Sequence, residues 1–250
     1  MKVALVEFLN AVVLYEALKK RIIPNDFEFT SAVPSRCATL LRNGEVDISN
    51  VSIVEYVNNP SYKILHDGCI ASNKHVKSVV LFLKKPIEKV KSVKLDPNSK
   101  TSVALVRVLF RFHFQKTVDY VNTDNADCEL VIGDRALKML KNSHLSHLDL
   151  AFEWYKMTTL PFVFAAWITP KKLPEEVVEK FIKAKELGKT MIDEICKQFD
   201  SLIDINECRS YITKNINYDL TEDKVESIKT FLNLAYKAGA INTTRHLEFI

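Results

Sequence analysis

Along the first sixty residues, short unbroken apolar runs alternate with stretches whose apolar positions recur at helical spacing. Val3 to Val6 reads as a buried strand that stops at Glu7-Phe8-Leu9-Asn10, and Ala11 to Lys20 reads as a helix ending in a basic cluster. Phe27 to Ser31 is a second strand, and Pro34 to Arg42 a helix with proline in its first turn and Asn43-Gly44 as its stop. Val46 to Asn50 and Ser52 to Val57 complete a third strand-helix pair. Repeated strand-then-helix units predict a mostly parallel α/β arrangement. Two strands follow, Leu65 to Ile70 and Lys77 to Leu83, the second long enough to carry the chain out of one domain into another. The α/β pattern then resumes with Ser92 to Leu95, a helix bearing Val103, Val106, Leu109, Phe110 and Phe114, and further strands at 118–121, 128–132 and 148–150. The run Leu160 to Trp167 returns the chain to the first domain, and from Pro174 onward the texture is helical, over 175–199, 206–215 and 223–238. The expected organisation is an α/β lobe built from 1–74 and 165–250 with a second α/β lobe, 75–164, inserted into it, so that two segments cross a central cleft.

The formal net charge of +4 is mild, and no block of Lys and Arg interleaves with aromatics. Nucleic acid is therefore not expected as a partner, whereas a small acidic ligand fits. The few glycines form no phosphate-cradling pattern, so no nucleotide cofactor is expected. No apolar run is long enough to span a bilayer, and Glu7 interrupts the only apolar stretch near the start, so the reading is a cytoplasmic protein with no membrane partner. Five widely spaced cysteines without a C-x-x-C pair suit reduced, structural thiols.

The chemistry concentrates at Asp96-Pro97-Asn98-Ser99-Lys100-Thr101-Ser102, where a turn opens a helix. Ser99, Thr101 and Ser102 would sit beside unpaired backbone N–H groups, an arrangement suited to a carboxylate and equally to ordinary N-capping. Asn10 lies at the end of a strand, where α/β sheets bind ligands, or caps the helix that follows. Asp134, after Gly133, either caps its own helix or lines the cleft, and Arg36 either pairs with a substrate carboxylate or stands on the surface. Ser52 and Gly133 open further segments at strand ends and join the candidate binding set. Glu7 reads as solvated and Glu55 as a structural brace. His144 and His147 have only Asp149 as a third ligand, so no metal site is expected.

An ordered set of motifs carries a resemblance: Phe8-Leu9-Asn10, Pro34-Ser35-Arg36, Val54-Glu55-Tyr56, Val76-Lys77-Ser78-Val79, Asp96-Pro97-x-Ser99-x-Thr101-Ser102-x-Ala104-Leu105, Ile132-Gly133-Asp134-x-Ala136-Leu137, and Trp154-x-x-x-Thr158-x-Leu160-Pro161-Phe162-Val163-Phe164-Ala165. Together they resemble the chorismate dehydratases of the futalosine route to menaquinone. The resemblance implies a type II periplasmic-binding-protein-like fold used as a cytoplasmic enzyme. It implies dehydration of chorismate to 3-[(1-carboxyvinyl)oxy]benzoate without a cofactor, with Asn10 and Ser78 close to the chemistry. Ala11-Val12-Val13 departs from the family's frequent Thr/Cys-x-Pro, and Thr159 stands where glycine is usual; both departures are expected near the cleft or hinge. Two other readings stay open, the dihydroxynaphthoate synthase of the same route and a non-catalytic small-carboxylate binder. The helical tail is expected to pack on the first lobe and to be where a partner subunit would meet it in a homodimer.

Overall fold

In the computed structural model, which describes residues 1–250, β1 (Lys2–Val6) is flanked in parallel by β2 (Glu28–Ala32) and β3 (Ile48–Ser52). Two short helices, α1 (Leu9–Val12) and α2 (Glu16–Lys19), replace the single helix expected over 11–20, and α3 (Pro34–Arg42) joins β2 to β3. Residues 53–58 form a 3₁₀ turn. The long β4 (Lys63–Ser72) is the far edge of this sheet, and the chain leaves along it.

The second sheet contains β5 (Val79–Leu83), β6 (Ser92–Lys94), β7 (Asp119–Val121), β8 (Cys128–Ile132) and β9 (Ser146–Asp149), in the order β7-β6-β8-β5-β9. Its helices are α4 (Lys100–Val108), α5 (Gly133–Asn142) and α6 (Leu150–Thr158). The chain returns through β10 (Phe162–Thr169), which inserts antiparallel between β3 and β4, giving the first sheet the order β2-β1-β3-β10-β4. Each sheet is thus a parallel core with an antiparallel strand contributed by a crossing. This is the α/β architecture of type II periplasmic-binding-protein-like folds.

The tail comprises α7 (Glu175–Thr190), α8 (Ile192–Lys197), α9 (Ile205–Ser210) and α10 (Glu222–Lys237). It packs on the first lobe through α7, while α10 lies against both β10 and α4. An aromatic knot fixes α10 at the return crossing: the rings of Trp154, Phe162 and Phe231 meet edge to face, with centroids 4.9 to 5.9 Å apart. Each such pair adds about 0.5–1.5 kcal/mol beyond the area it buries. Pro161 O accepts from Trp154 Nε1 at 3.2 Å and from Ser227 Oγ, so the same turn is hydrogen-bonded to the tail. The last residues lie along the edge of β4, with Ile64 N donating to Glu248 O at 2.9 Å and His66 N to Ile250 O at 2.8 Å, which covers an otherwise open strand edge.

Two expectations change. Cys196 and Cys208 form a disulfide between α8 and α9, while Cys37, Cys69 and Cys128 are free and buried, so only the last three fit the reading as structural thiols. Sequence spacing missed the pair because the chain between them doubles back through a helical turn. The Ala11-Val12-Val13 departure falls in the core rather than on the cleft wall. All three are buried, and the carbonyl of Val13 sits under Gly188 of α7, where an added Cβ would lie 1.9 Å from it.

Thr159 ends α6 in the left-handed conformation, at φ 62° and ψ 5°. A β-branched residue there costs roughly 1–2 kcal/mol that glycine avoids. Thr159→Gly is expected to raise stability by up to about 1 kcal/mol once glycine's extra unfolded-state freedom is deducted. Urea denaturation of the two proteins measures this, and an unchanged or lower midpoint would refute it.

Candidate functional site

The carboxyl ends of β1 and β3 face the second lobe across a narrow cleft, walled on its far side by the outgoing crossing at 76–79, the start of α4 and the β8–α5 junction. From β1 and α1 come Val6, Phe8 and Asn10, and from β3 come Asn50 and Ser52. Ser78 stands on the outgoing crossing, Ser99 and Ser102 at the start of α4, and Gly133 at the start of α5. Phe164 and Ala165 line it from the return strand. No Asp, Glu, His, Lys, Arg or Tyr side chain is among the lining residues.

The hydrogen-bonding state of these groups is the informative feature. Asn10 Oδ1, both side-chain polar atoms of Asn50, and Ser78 Oγ are buried without a partner. An unsatisfied buried polar atom costs on the order of 1–3 kcal/mol, so a cluster of them in one cleft points to a ligand that completes their bonds. Asn10 therefore does not cap a helix: the residue before α1 is Phe8, and no side chain caps it. Ser99 does act as an N-cap, accepting from Ser102 N at 3.2 Å, and it also accepts from Ser102 Oγ at 3.0 Å. With its oxygen so used, the Ser99 hydroxyl proton is left to donate into the cleft.

Ser78 is held by an unusual turn. Its N–H donates to Val76 O at 2.7 Å across Lys77, whose φ is +59°. This three-residue γ-turn is a strained conformation for a residue with a side chain. The Lys77 N–H is anchored on Asp149 Oδ2 at 2.7 Å, while Asp149 Oδ1 caps α6 through Ala151 N and Phe152 N. Ser78 O in turn accepts from Gly133 N at 2.7 Å. Gly133 has φ +62°, and a Cβ there would stand 2.8 Å from the ring of Phe8, so only glycine lets the two lobes meet at this point.

Three candidates lie elsewhere. Arg36 is exposed and faces Glu45 at 4.0 Å, because the buried stripe of α3 (Cys37, Ala38, Leu40, Leu41) turns position 36 outward. Pro34 lines the cleft in its place. Thr101 is fully buried but points across the lobe seam, its Oγ1 accepting from Val54 N at 3.3 Å. Asp134 does not cap its own helix and does not line the cleft; its Oδ1 accepts from Leu9 N at 3.2 Å and so caps α1 in the opposite lobe. Glu7 is exposed. Glu55 is fully buried as a brace, bound by Arg42 at 2.9 and 3.1 Å and by Lys100 of the second lobe at 3.1 Å. Asn50 was missed by sequence reasoning, although one signal was present: β3, Ile48-Ser49-Asn50-Val51-Ser52, is buried throughout and yet polar at its carboxyl end.

With this geometry established, comparison with known proteins is decisive for the family. Residues 1–237 match the menaquinone biosynthesis family model. The chain belongs to that family. The chorismate dehydratase of Campylobacter jejuni is 30% identical over 234 residues, covering 91% of this chain and 94% of the relative. That of Thermus thermophilus is 27% identical over 231 residues, covering 82% and 85%. In three dimensions, a Candida albicans protein described as having the generic periplasmic binding protein fold superposes with a TM-score of 0.68 at 14% identity, covering 98% of this chain and 92% of that one.

Within this family member, Asp134 joins the lobes through a titratable contact. Burial pushes its carboxyl up to about 6, against the opposing pull of the Leu9 N–H and of Lys138. The unfolded carboxyl titrates near about 3.9. Between these values the folded chain holds a proton that the unfolded chain has released. The stabilising contribution is therefore complete below about pH 4 and is lost as pH rises through about 6. Asp134→Asn keeps the acceptor and removes the titration. The stability of the native protein relative to this variant is expected to fall between about pH 4 and 6 and to level off above. Urea midpoints across that range measure it, and a difference independent of pH would refute the assignment.

Proposed function

We propose that this family member dehydrates chorismate to 3-[(1-carboxyvinyl)oxy]benzoate. The observation that carries the reading is the cleft of unpartnered, uncharged polar groups from Asn10, Asn50 and Ser78, in a chain alignable over most of its length with two chorismate dehydratases. Chorismate presents two carboxylates and a ring diene. Removing the ring proton at the carbon bearing the enol ether spreads negative charge through the diene toward the ring carboxylate. Expulsion of the neighbouring hydroxyl then yields water and an aromatic ring.

A protein assists this by holding both carboxylates and meeting the developing charge with dipoles already in place. Ser99, at the start of α4 and held by Ser102, suits the carboxylate whose charge grows, since a fixed hydroxyl donor and the helix's positive end need no reorganisation during reaction. Asn10, Asn50 and Ser78 suit the second carboxylate and the departing hydroxyl. The lining supplies no side chain able to accept a proton at neutral pH. The acceptor in this mechanism is accordingly the substrate's own enolpyruvyl carboxylate, oriented by Asn10, and the proton it takes is available to leave with the hydroxyl as water. Proximity of base and C–H in one bound molecule supplies the rate advantage of an intramolecular reaction.

The likeness to binding-protein folds favours a second reading, a carrier of small acids without chemistry. One assay separates the two: loss of the chorismate diene absorbance together with appearance of the enolpyruvyl-benzoate. Asn10→Ala and Ser78→Ala are each expected to lower kcat by about 100-fold, the scale of losing one preorganised donor. Near-native turnover in both variants would end the assignment, and binding of chorismate without turnover by the native protein would establish the carrier.

A further inference from the structure

The tail does more than cover the first lobe. Directly after α9 the chain makes a single wide helical turn over 211–215 and then runs along the outgoing crossing. Asn217 pairs with Ala71 through two backbone bonds of 2.8 and 2.9 Å, Cys69 N donates to Tyr218 O at 2.9 Å, and Asn215 Nδ2 donates to His75 O at 2.8 Å. These bonds set Tyr211, which is 2% exposed, behind the crossing that carries Ser78. Its phenol group adjoins the side chains of both Ser78 and Asn10. Tyr211 also lines a groove between tail and second lobe together with Lys77 and Asp149, the residues of the turn that holds Ser78.

Packing alone does not call for a hydroxyl here. A buried phenol needs a partner, and phenylalanine would fill the same space without that requirement. Ser78 Oγ and Asn10 Oδ1 are the neighbouring atoms without one. Burial raises the Tyr211 phenol above its ordinary value, so it stays protonated and is a donor at neutral pH.

We propose that Tyr211 is a positioning residue for the Ser78–Asn10 pair, its buried hydroxyl standing beside both side chains from behind the crossing and fixing the orientation in which they face the ligand. The inference rests on the dehydratase reading and extends it, because it places a tail residue in the support of the site. Asparagine presents either end of its amide, and a fixed hydroxyl beside it removes that ambiguity. Ligand-facing groups depend on such supporting bonds for their orientation.

The test uses the full-length protein with Tyr211→Phe and Tyr218→Phe, assayed for chorismate turnover and for melting temperature. Tyr218 is a neighbouring buried phenol of the same tail that does not line the cleft, so it reports the effect of removing a tail hydroxyl as such. Tyr211→Phe is expected to lower kcat by roughly 10- to 100-fold with KM within about threefold, the scale of a misplaced catalytic group, while Tyr218→Phe stays within about threefold in both. Unchanged kcat in Tyr211→Phe, a loss confined to KM, or an equal loss in both variants that tracks melting temperature would overturn the proposal. A native protein that leaves chorismate intact would instead refute the dehydratase reading, and the role assigned to Tyr211 would fall with it.

Discussion

The structure depends on an inter-lobe seam whose cleft lining carries no charge. Phe8 lies against the bare Cα of Gly133, and Gly133 N–H is bound to the carbonyl of Ser78. Around this point Asp134 caps α1 of the opposite lobe, Thr101 accepts from Val54, and Lys100 reaches Glu55. The charged members of this set are turned toward structure, so the cleft is left with amides and hydroxyls alone. For an acidic substrate of the kind proposed, a cation in such a cleft would bind ground state and transition state about equally, which lowers KM without raising kcat. Fixed neutral dipoles at a helix start respond most to the species whose charge is most localised beside them.

That arrangement requires stiffness, and the stiffness comes from the segments that connect the lobes. Ser78 follows a residue at positive φ whose N–H is held by Asp149, itself the cap of α6. The return crossing is held from the other side by the Trp154, Phe162 and Phe231 rings and by two donors on Pro161 O. Strain at Lys77 persists because these neighbours over-determine its conformation. The tail closes the assembly by pairing with the outgoing crossing at Ala71, so the hinge of a binding-protein fold is splinted here by chain that follows both lobes.

Much of this was legible in the residues. Most of the strand and helix order followed from periodicity, and the chain passes to the second sheet after β4 and returns before β10. Ser99, Ser102, Asn10, Ser52, Ser78 and Gly133 were each singled out and do line one cleft. Arg36, Thr101 and Asp134 were singled out on the same grounds and do not. The difference is rotational: a motif places a residue at a helix start, whereas the buried stripe of the helix decides which way its side chain turns. For α3 that stripe begins at Cys37 and leaves Arg36 in solvent. Asn50 was hidden because a polar residue in a central strand looks like a break in the apolar run until the strand's neighbours are known. The Cys196–Cys208 bond and the placement of Tyr211 are long-range consequences of how the tail folds back, which local spacing does not encode.

The absence of an ionisable side chain from the lining also bears on what the site accepts. A guest offering one carboxylate would satisfy the helix start of α4 and leave Asn10, Asn50 and Ser78 as they are, without partners. Each group left so costs on the order of 1–3 kcal/mol relative to a guest that engages it, which amounts to a discrimination of about 5- to 150-fold per group. On the proposed reading, selectivity for a doubly acidic, hydroxylated ring follows from the buried groups it completes.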